Sequence, residues 1–165
     1  MTDRVLVTGG AKRLGAELVR AFAHAGWEVW CHYQQSAHEA LALQAELRQA
    51  GGRVETVQAD LADSAQVEAM MARVEAASGP LRCVVNNAST FEPDTGPDFD
   101  PALARQQLEV NLIAPLLLGR ELARQQARHG LHDASVVQVL DQKVHNLNRD
   151  YFSYTVSKLA LERSV

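Results

Sequence analysis

Five short runs along the chain are almost continuously apolar or β-branched: residues 5–8, 28–33, 54–58, 83–86 and 135–140. Strands that alternate polar and apolar have one wet face, whereas near-continuous runs of this kind belong to parallel strands covered on both sides. Between them the period changes. Leu14, Leu18 and Phe22 recur every four residues, and Gly26 stands where such a helix would stop. Residues 37–50 form a further helical stretch ended by Gly51-Gly52. Val67, Met70, Met71 and Val74 follow the i, i+3, i+4, i+7 stripe behind the capping candidates Asp63 and Ser64. Strand and helix alternating from the first residues predict an α/β fold with a doubly wound parallel sheet of the Rossmann kind. One long connection, residues 90–101, carries three prolines, a glycine and three aspartates. Loops of that length in compact domains are often functional.

The first run leads into Thr8-Gly9-Gly10-Ala11-Lys12-Arg13-Leu14-Gly15 and then a helix. A glycine-rich strand-to-helix turn aims unpaired backbone N–H groups and the positive helix end at an anion, as in dinucleotide sites. An NAD site also needs a carboxylate after the second strand to accept from the ribose hydroxyls. Here that stretch is His32-Tyr33-Gln34-Gln35-Ser36, with no acid, while Lys12 and Arg13 could pair with a 2′-phosphate. The expected cofactor is therefore NADP(H).

Composition narrows the alternatives. The chain has 165 residues, 47% of them hydrophobic and 22% charged, which is one ordinary domain with a core of its own. A net charge of −4 and the lack of any basic run argue against a nucleic-acid partner. No apolar run reaches membrane-spanning length, the longest being broken at Pro115. With no signal-like N-terminus and two cysteines, Cys31 and Cys83, inside strand-like runs, free thiols in a cytoplasmic protein are expected. No metal site is expected.

The order of motifs resembles the short-chain dehydrogenase/reductase family over essentially the whole chain. Thr8 to Gly15 is similar to that family's T-G-x-x-x-G-x-G turn, with Arg13 where the middle glycine usually sits. Asp60-Leu61 after the third strand, Asn86-Asn87-Ala88 with Ser89 in place of a glycine, Asn111, and Tyr154 with Lys158 four residues on complete the pattern. Residues i and i+4 share a helix face, and an ammonium beside a phenol is expected to lower its pKa from about 10 toward neutrality. The resemblance implies that Tyr154 donates the proton, that Lys158 also holds the nicotinamide ribose, and that Asn111 is structural and catalytic. It places Thr8, Gly9, Lys12, Arg13, Leu14, Gly15, His32, Tyr33, Ser36, Asp60, Leu61, Asn87, Ala88 and Ser89 around the cofactor, with Tyr154 and Lys158.

Thirteen positions before Tyr154, where the family usually has a serine, stands Asp141. A carboxylate there would repel the negative charge growing on a ketone oxygen, and suits a substrate that donates hydrogen bonds or a proton relay to a ring nitrogen. That exchange resembles the pteridine reductases, a branch of the family. So do the arginine variant of the turn, His32-Tyr33 followed by Ser36, and the run Asn86-Asn87-Ala88-Ser89-Thr90-Phe91. Gln35 departs from the branch, which often has an arginine there. The resemblance implies that Phe91 stacks on a pterin and that Arg13, Ser89, Asp141 and Tyr154 also meet the substrate. It implies a dimer or tetramer built on the helices around residues 112–128 and from 151 onward. Relatives continue well past the helix of Tyr154 and Lys158, so a single dinucleotide-binding and catalytic domain, 1–165, truncated before the substrate loop, is expected. Two other functions fit the same motifs: an NADPH-dependent carbonyl or 3-oxoacyl thioester reductase, and a non-catalytic NADP-binding protein.

Overall fold

The computed structural model describes residues 2–147 and 149–164. Five strands, β1 (Arg4–Val7), β2 (Glu28–Tyr33), β3 (Arg53–Gln58), β4 (Cys83–Asn86) and β5 (Ser135–Gln138), form one sheet in the order β3-β2-β1-β4-β5. Every pairing is parallel, with Val5 opposite both Val29 and Cys83, and Asn86 opposite Gln138. Because side chains alternate across a strand, Val5 and Val7 enter one core with α1 (Arg13–His24) and α2 (Ala37–Gln49), while Leu6 enters the other. That second core is closed by Val67, Met70, Met71 and Val74 of α3 (Ser64–Ser78) and by Leu118 and Leu122 of α5 (Ala114–His129). β1, β2 and β4 are buried on both faces, as their continuous apolar runs predicted, whereas β5 at the edge leaves Ser135, Val136 and Val137 exposed.

The helix α1 exists where expected, but it buries a different face. Gly15, Ala16, Val19 and Ala23 are its buried residues; Leu18 and Phe22 are only partly covered and Leu14 is exposed. Small residues pack inward because α1 lies close on the sheet, and the larger stripe borders solvent and the cavity described below. Asp63 caps α3 by accepting from the N–H groups of Ala65 and Gln66, and Gly51 turns the chain after α2 at φ +86°. The long connection leads into α4 (Pro101–Leu108), capped by Asp100, whose carboxylate accepts from Ala102 N–H. A π-helical turn, Glu109–Ile113, joins α4 to α5 and carries Asn111. After β5 come a short 3₁₀ turn, Gln142–Val144, and α6 (Phe152–Glu162), the helix of Tyr154 and Lys158.

Candidate functional site

In an open parallel sheet, ligands sit beyond the carboxyl ends of the strands where the winding reverses, here between β1 and β4. A cavity of about 500 Å³ opens there. Gly9, Lys12, Arg13, Leu14 and Gly15 line it from the turn, His32, Tyr33 and Ser36 from the end of β2, Asp60 and Leu61 from β3, and Asn87, Ala88 and Ser89 from β4. Ala11, Gln34, Gln35 and Thr90, which stand inside the motif stretches without an expected role, and Val110, which lies outside them, complete the wall. Of the turn, Thr8 and Gly10 lie outside it; Thr8 acts from below. Its buried hydroxyl accepts from the N–H groups of Asn87 and Ala88, each at 3.0 Å, and so sews the turn to β4 from beneath.

The turn is shaped for close approach. Gly9 has φ +60°, and a Cβ on Gly15 would lie 2.0 Å from the Gly9 carbonyl oxygen and 2.7 Å from Asn87 Nδ2. Arg13 also adopts a left-handed conformation, φ +50°, which a side chain rarely does without compensation. Lys12 at the N-cap offers no side-chain acceptor, and no acid occupies the first turn of α1, so the helix start faces the cavity with its positive end uncompensated. The start of α2 is likewise without a side-chain cap at Ser36. The first turn of α2 carries Glu39, however, so the start of α1 is the one that suits a phosphate group.

His32 supports this wall from behind. It is buried; its Nδ1 accepts from Gly9 N–H at 3.1 Å and its Nε2 pairs with the Ala59 carbonyl at 3.1 Å. An amide can only donate and a carbonyl only accept, so the ring is neutral with its proton on Nε2. Burial lowers its pKa to about 4. Both cations expected to await a 2′-phosphate, Lys12 and Arg13, line the cavity. Lys12 Nζ is also 2.7 Å from Glu39 Oε1, on α2, three residues beyond Ser36.

Beside the cavity, Tyr154 O–H donates to Asp141 Oδ2 at 3.0 Å, and Lys143 N–H donates to Asp141 Oδ1 at 2.9 Å. Lys158 Nζ donates to the Val139 carbonyl at 3.0 Å and lies 5.8 Å from the centre of the Tyr154 ring. The expectation that Lys158 draws the phenol toward neutrality is reversed. Burial, then the hydrogen bond and charge of Asp141, push the Tyr154 pKa above its ordinary value, with Ser89 opposing. The ammonium addresses the ring face and a carbonyl, whereas the hydroxyl itself meets a carboxylate. Lys158 in turn is pushed down by burial, with Asp141 opposing.

Asn111 is fully buried. Its Oδ1 accepts from Thr90 N–H at 2.9 Å and lies 3.1 Å from Ser89 Oγ; its Nδ2 donates to the Thr90 carbonyl and to Ser157 Oγ. It therefore fastens the start of the long connection to α6. Phe91 is half exposed, its ring stacked on Tyr151 at 4.0 Å and edge-on to Tyr154 at 4.6 Å.

Residues 3–164 match the short chain dehydrogenase family. The chain belongs to that family. It is 30% identical over 161 residues to an uncharacterised oxidoreductase, YgfF, of Escherichia coli, covering 95% of this chain and 65% of that protein. It is 31% identical over 194 residues to pteridine reductase 1 of Leishmania tarentolae, covering 95% of this chain and 67% of that one. Among solved structures it resembles FolM alternative dihydrofolate reductase 1 of Brucella suis in complex with NADP, with TM-score 0.91 and 36% identity over 98% of this chain and 66% of that one. The chain thus spans about two thirds of the length of these relatives. The structure brings Tyr154, Lys158 and Asp141 into one neighbourhood, with Asn111 tied to the same helix through Ser157. Tyr151, Asp94 and Glu39 had no motif to mark them.

No helix among the described residues is long and apolar enough to cross a membrane. Cys31 and Cys83 are free and buried, the Cys31 thiol pushed up to about 12 by burial.

Proposed function

We propose that this chain forms the NADP(H)-binding and catalytic core of a short-chain reductase acting on a flat nitrogen heterocycle of the pterin kind. The observation that carries the reading is the hydrogen bond from Tyr154 to Asp141. A carboxylate at that place accepts, so it favours a substrate that presents N–H or amino groups and disfavours one that gathers negative charge on a carbonyl oxygen. The residues present fit the cofactor: a close-approach turn, the uncapped and acid-free start of α1, and a cavity along the strand ends.

When bound, NADPH supplies a hydride to a C=N bond of the substrate. The chain's own groups manage the proton. With its pKa pushed up, Tyr154 is protonated across the neutral range, and it would pass that proton through Asp141 to the ring nitrogen of the reduced C=N bond, to be reprotonated from solvent. Asp141, anchored by Lys143 N–H, retains lone pairs for a donor on the substrate. Lys158, fixed by Val139 and set over the phenol ring, would hold the nicotinamide ribose. Phe91, half exposed beside Tyr154, offers an aromatic surface for a planar ring. Ser89 and Arg13 line the cavity, and Ser89 also reaches the Tyr154 hydroxyl. The exposed Leu116 of α5 and Phe152 and Val156 of α6 favour assembly as a homo-oligomer through these helices.

The test is oxidation of NADPH, followed by nicotinamide absorbance, with dihydrobiopterin and separately with an acetoacetyl thioester. Turnover with the pterin alone supports the reading, and Tyr154→Phe should then lose it by about a hundredfold or more while still binding NADPH. Turnover with the thioester alone would replace the pterin reading by a carbonyl reductase. NADPH binding with no turnover of either, in a chain extended to family length, would leave a cofactor-binding protein.

A further inference from the structure

Asp94 is the one buried acid among the described residues, and it lies in the long connection after β4, away from the cavity wall. Among the described residues its hydrogen bonds converge on the start of α6. Its carbonyl oxygen accepts from Phe152 N–H at 3.2 Å. Its carboxylate accepts from Ser153 N–H, at 3.0 Å to Oδ1 and 3.3 Å to Oδ2, and from the Ser153 hydroxyl. A helix ordinarily takes its cap from the residue before it. In α6 that residue is Tyr151, in a left-handed conformation, with no side-chain cap and its ring turned onto Phe91. The cap is therefore supplied from 59 residues earlier in the chain.

The same stretch carries Phe91, three residues before Asp94, against the rings of Tyr151 and Tyr154. It is held at two more points: Asn111 binds Thr90, and Gln107 exchanges hydrogen bonds with the backbone of Glu92. Asn111 and Gln107 belong to the α4–α5 side, whereas Asp94 alone of these three ties the stretch to the first turn of α6, one residue from Tyr154.

We propose that Asp94 is a positioning residue: by capping α6 from the connection, it fixes the phenol of Tyr154 relative to the ring of Phe91. This rests on the reductase reading for what is positioned, but the cap itself can be tested without turnover. In Asp94→Ala, amide exchange in residues 152–156 should quicken by about tenfold or more, with β1 and α1 unchanged. Binding of NADPH should stay within about twofold, because the cofactor cradle lies elsewhere, while kcat with dihydrobiopterin falls by at least about tenfold. Asp94→Asn keeps one oxygen for Ser153 N–H and should recover most of both losses. Ser153→Ala keeps the backbone bond and should fall between wild type and Asp94→Ala, which covers the case of an unfolded alanine variant. Unchanged exchange at the start of α6, or a loss of kcat matched by a loss of NADPH binding, would overturn the proposal. If wild type turns over neither substrate, the reductase reading fails while the exchange result still decides the role of Asp94.

Discussion

Glu39 holds the Lys12 ammonium at 2.7 Å, with both side chains substantially exposed. Contact with Lys12 keeps the Glu39 carboxyl below its ordinary range, so it is ionised at neutral pH. A 2′-phosphate arriving at the start of α2 would therefore compete with a carboxylate for this cation. Exposed pairs are weak, so the competition is modest but specific to the phosphorylated cofactor. Glu39→Gln should tighten NADPH by about two- to fivefold and leave NADH unchanged, as read by fluorescence titration with each nucleotide. Lys12→Met should weaken NADPH selectively. Equal effects on both nucleotides in the glutamine variant would mean that Lys12 does not reach the phosphate. The sequence had shown both cations and had shown no acid within residues 32–36. It could not show that one turn of α2 brings Glu39 back beside Lys12, since that contact exists only once α1 and α2 are laid on the same face of the sheet.

At the scale of elements, two glycines inside helices make opposite predictions, although helix propensity treats them alike. Gly15 lies in α1 and Gly119 in α5. A Cβ at Gly15 would stand 2.0 Å from the Gly9 carbonyl oxygen, whereas one at Gly119 would find its nearest neighbour, Val136 Cγ2, at an ordinary 3.9 Å. Gly119→Ala should stabilise the fold by about 0.5–1 kcal/mol through helix propensity. Gly15→Ala should destabilise it by roughly 1–3 kcal/mol through overpacking, and should abolish NADPH binding because the turn must open. Thermal unfolding and nucleotide titration of the two variants check both. Elements of this kind were readable from the sequence because each depends on neighbours a few residues away: the strands on continuous apolar runs, α3 on its Asp63 cap, the end of α2 on Gly51. The buried face of α1 was misread because the largest apolar side chains, Leu14, Leu18 and Phe22, are not the ones in the tightest contact. Close helix-to-sheet packing selects Gly15 and Ala16 instead, and size-weighted periodicity points away from them.

For the whole molecule, the turn that forms the cavity is held by contacts that cross the sheet. Thr8 joins β1 to the residues after β4, and His32 joins the end of β2 to Gly9 and Ala59, beyond β1 and β3. Motif spacing could nominate Thr8 and His32 as site residues, but only the assembled strands reveal that they work from behind the wall. This placement gives stability a definite pH dependence. Buried His32 has a pKa of about 4 against an ordinary 6.5, so between these values the unfolded chain binds a proton that the folded chain refuses. Its contribution is complete above about pH 6.5 and is lost as pH falls toward 4. By pH 5 the loss should be about 2 kcal/mol, from linkage at roughly 1.4 kcal/mol per pH unit. A protonated Nδ1 would also face the Gly9 N–H, donor against donor, so the phosphate turn is the part that yields. Urea unfolding at neutral pH and near pH 5 measures the difference. His32→Asn, whose amide can accept from Gly9 and donate toward Ala59 without titrating, should be less stable at neutral pH and should lose about 2 kcal/mol less on acidification. Identical acid sensitivity in the two proteins would place the titrating group elsewhere.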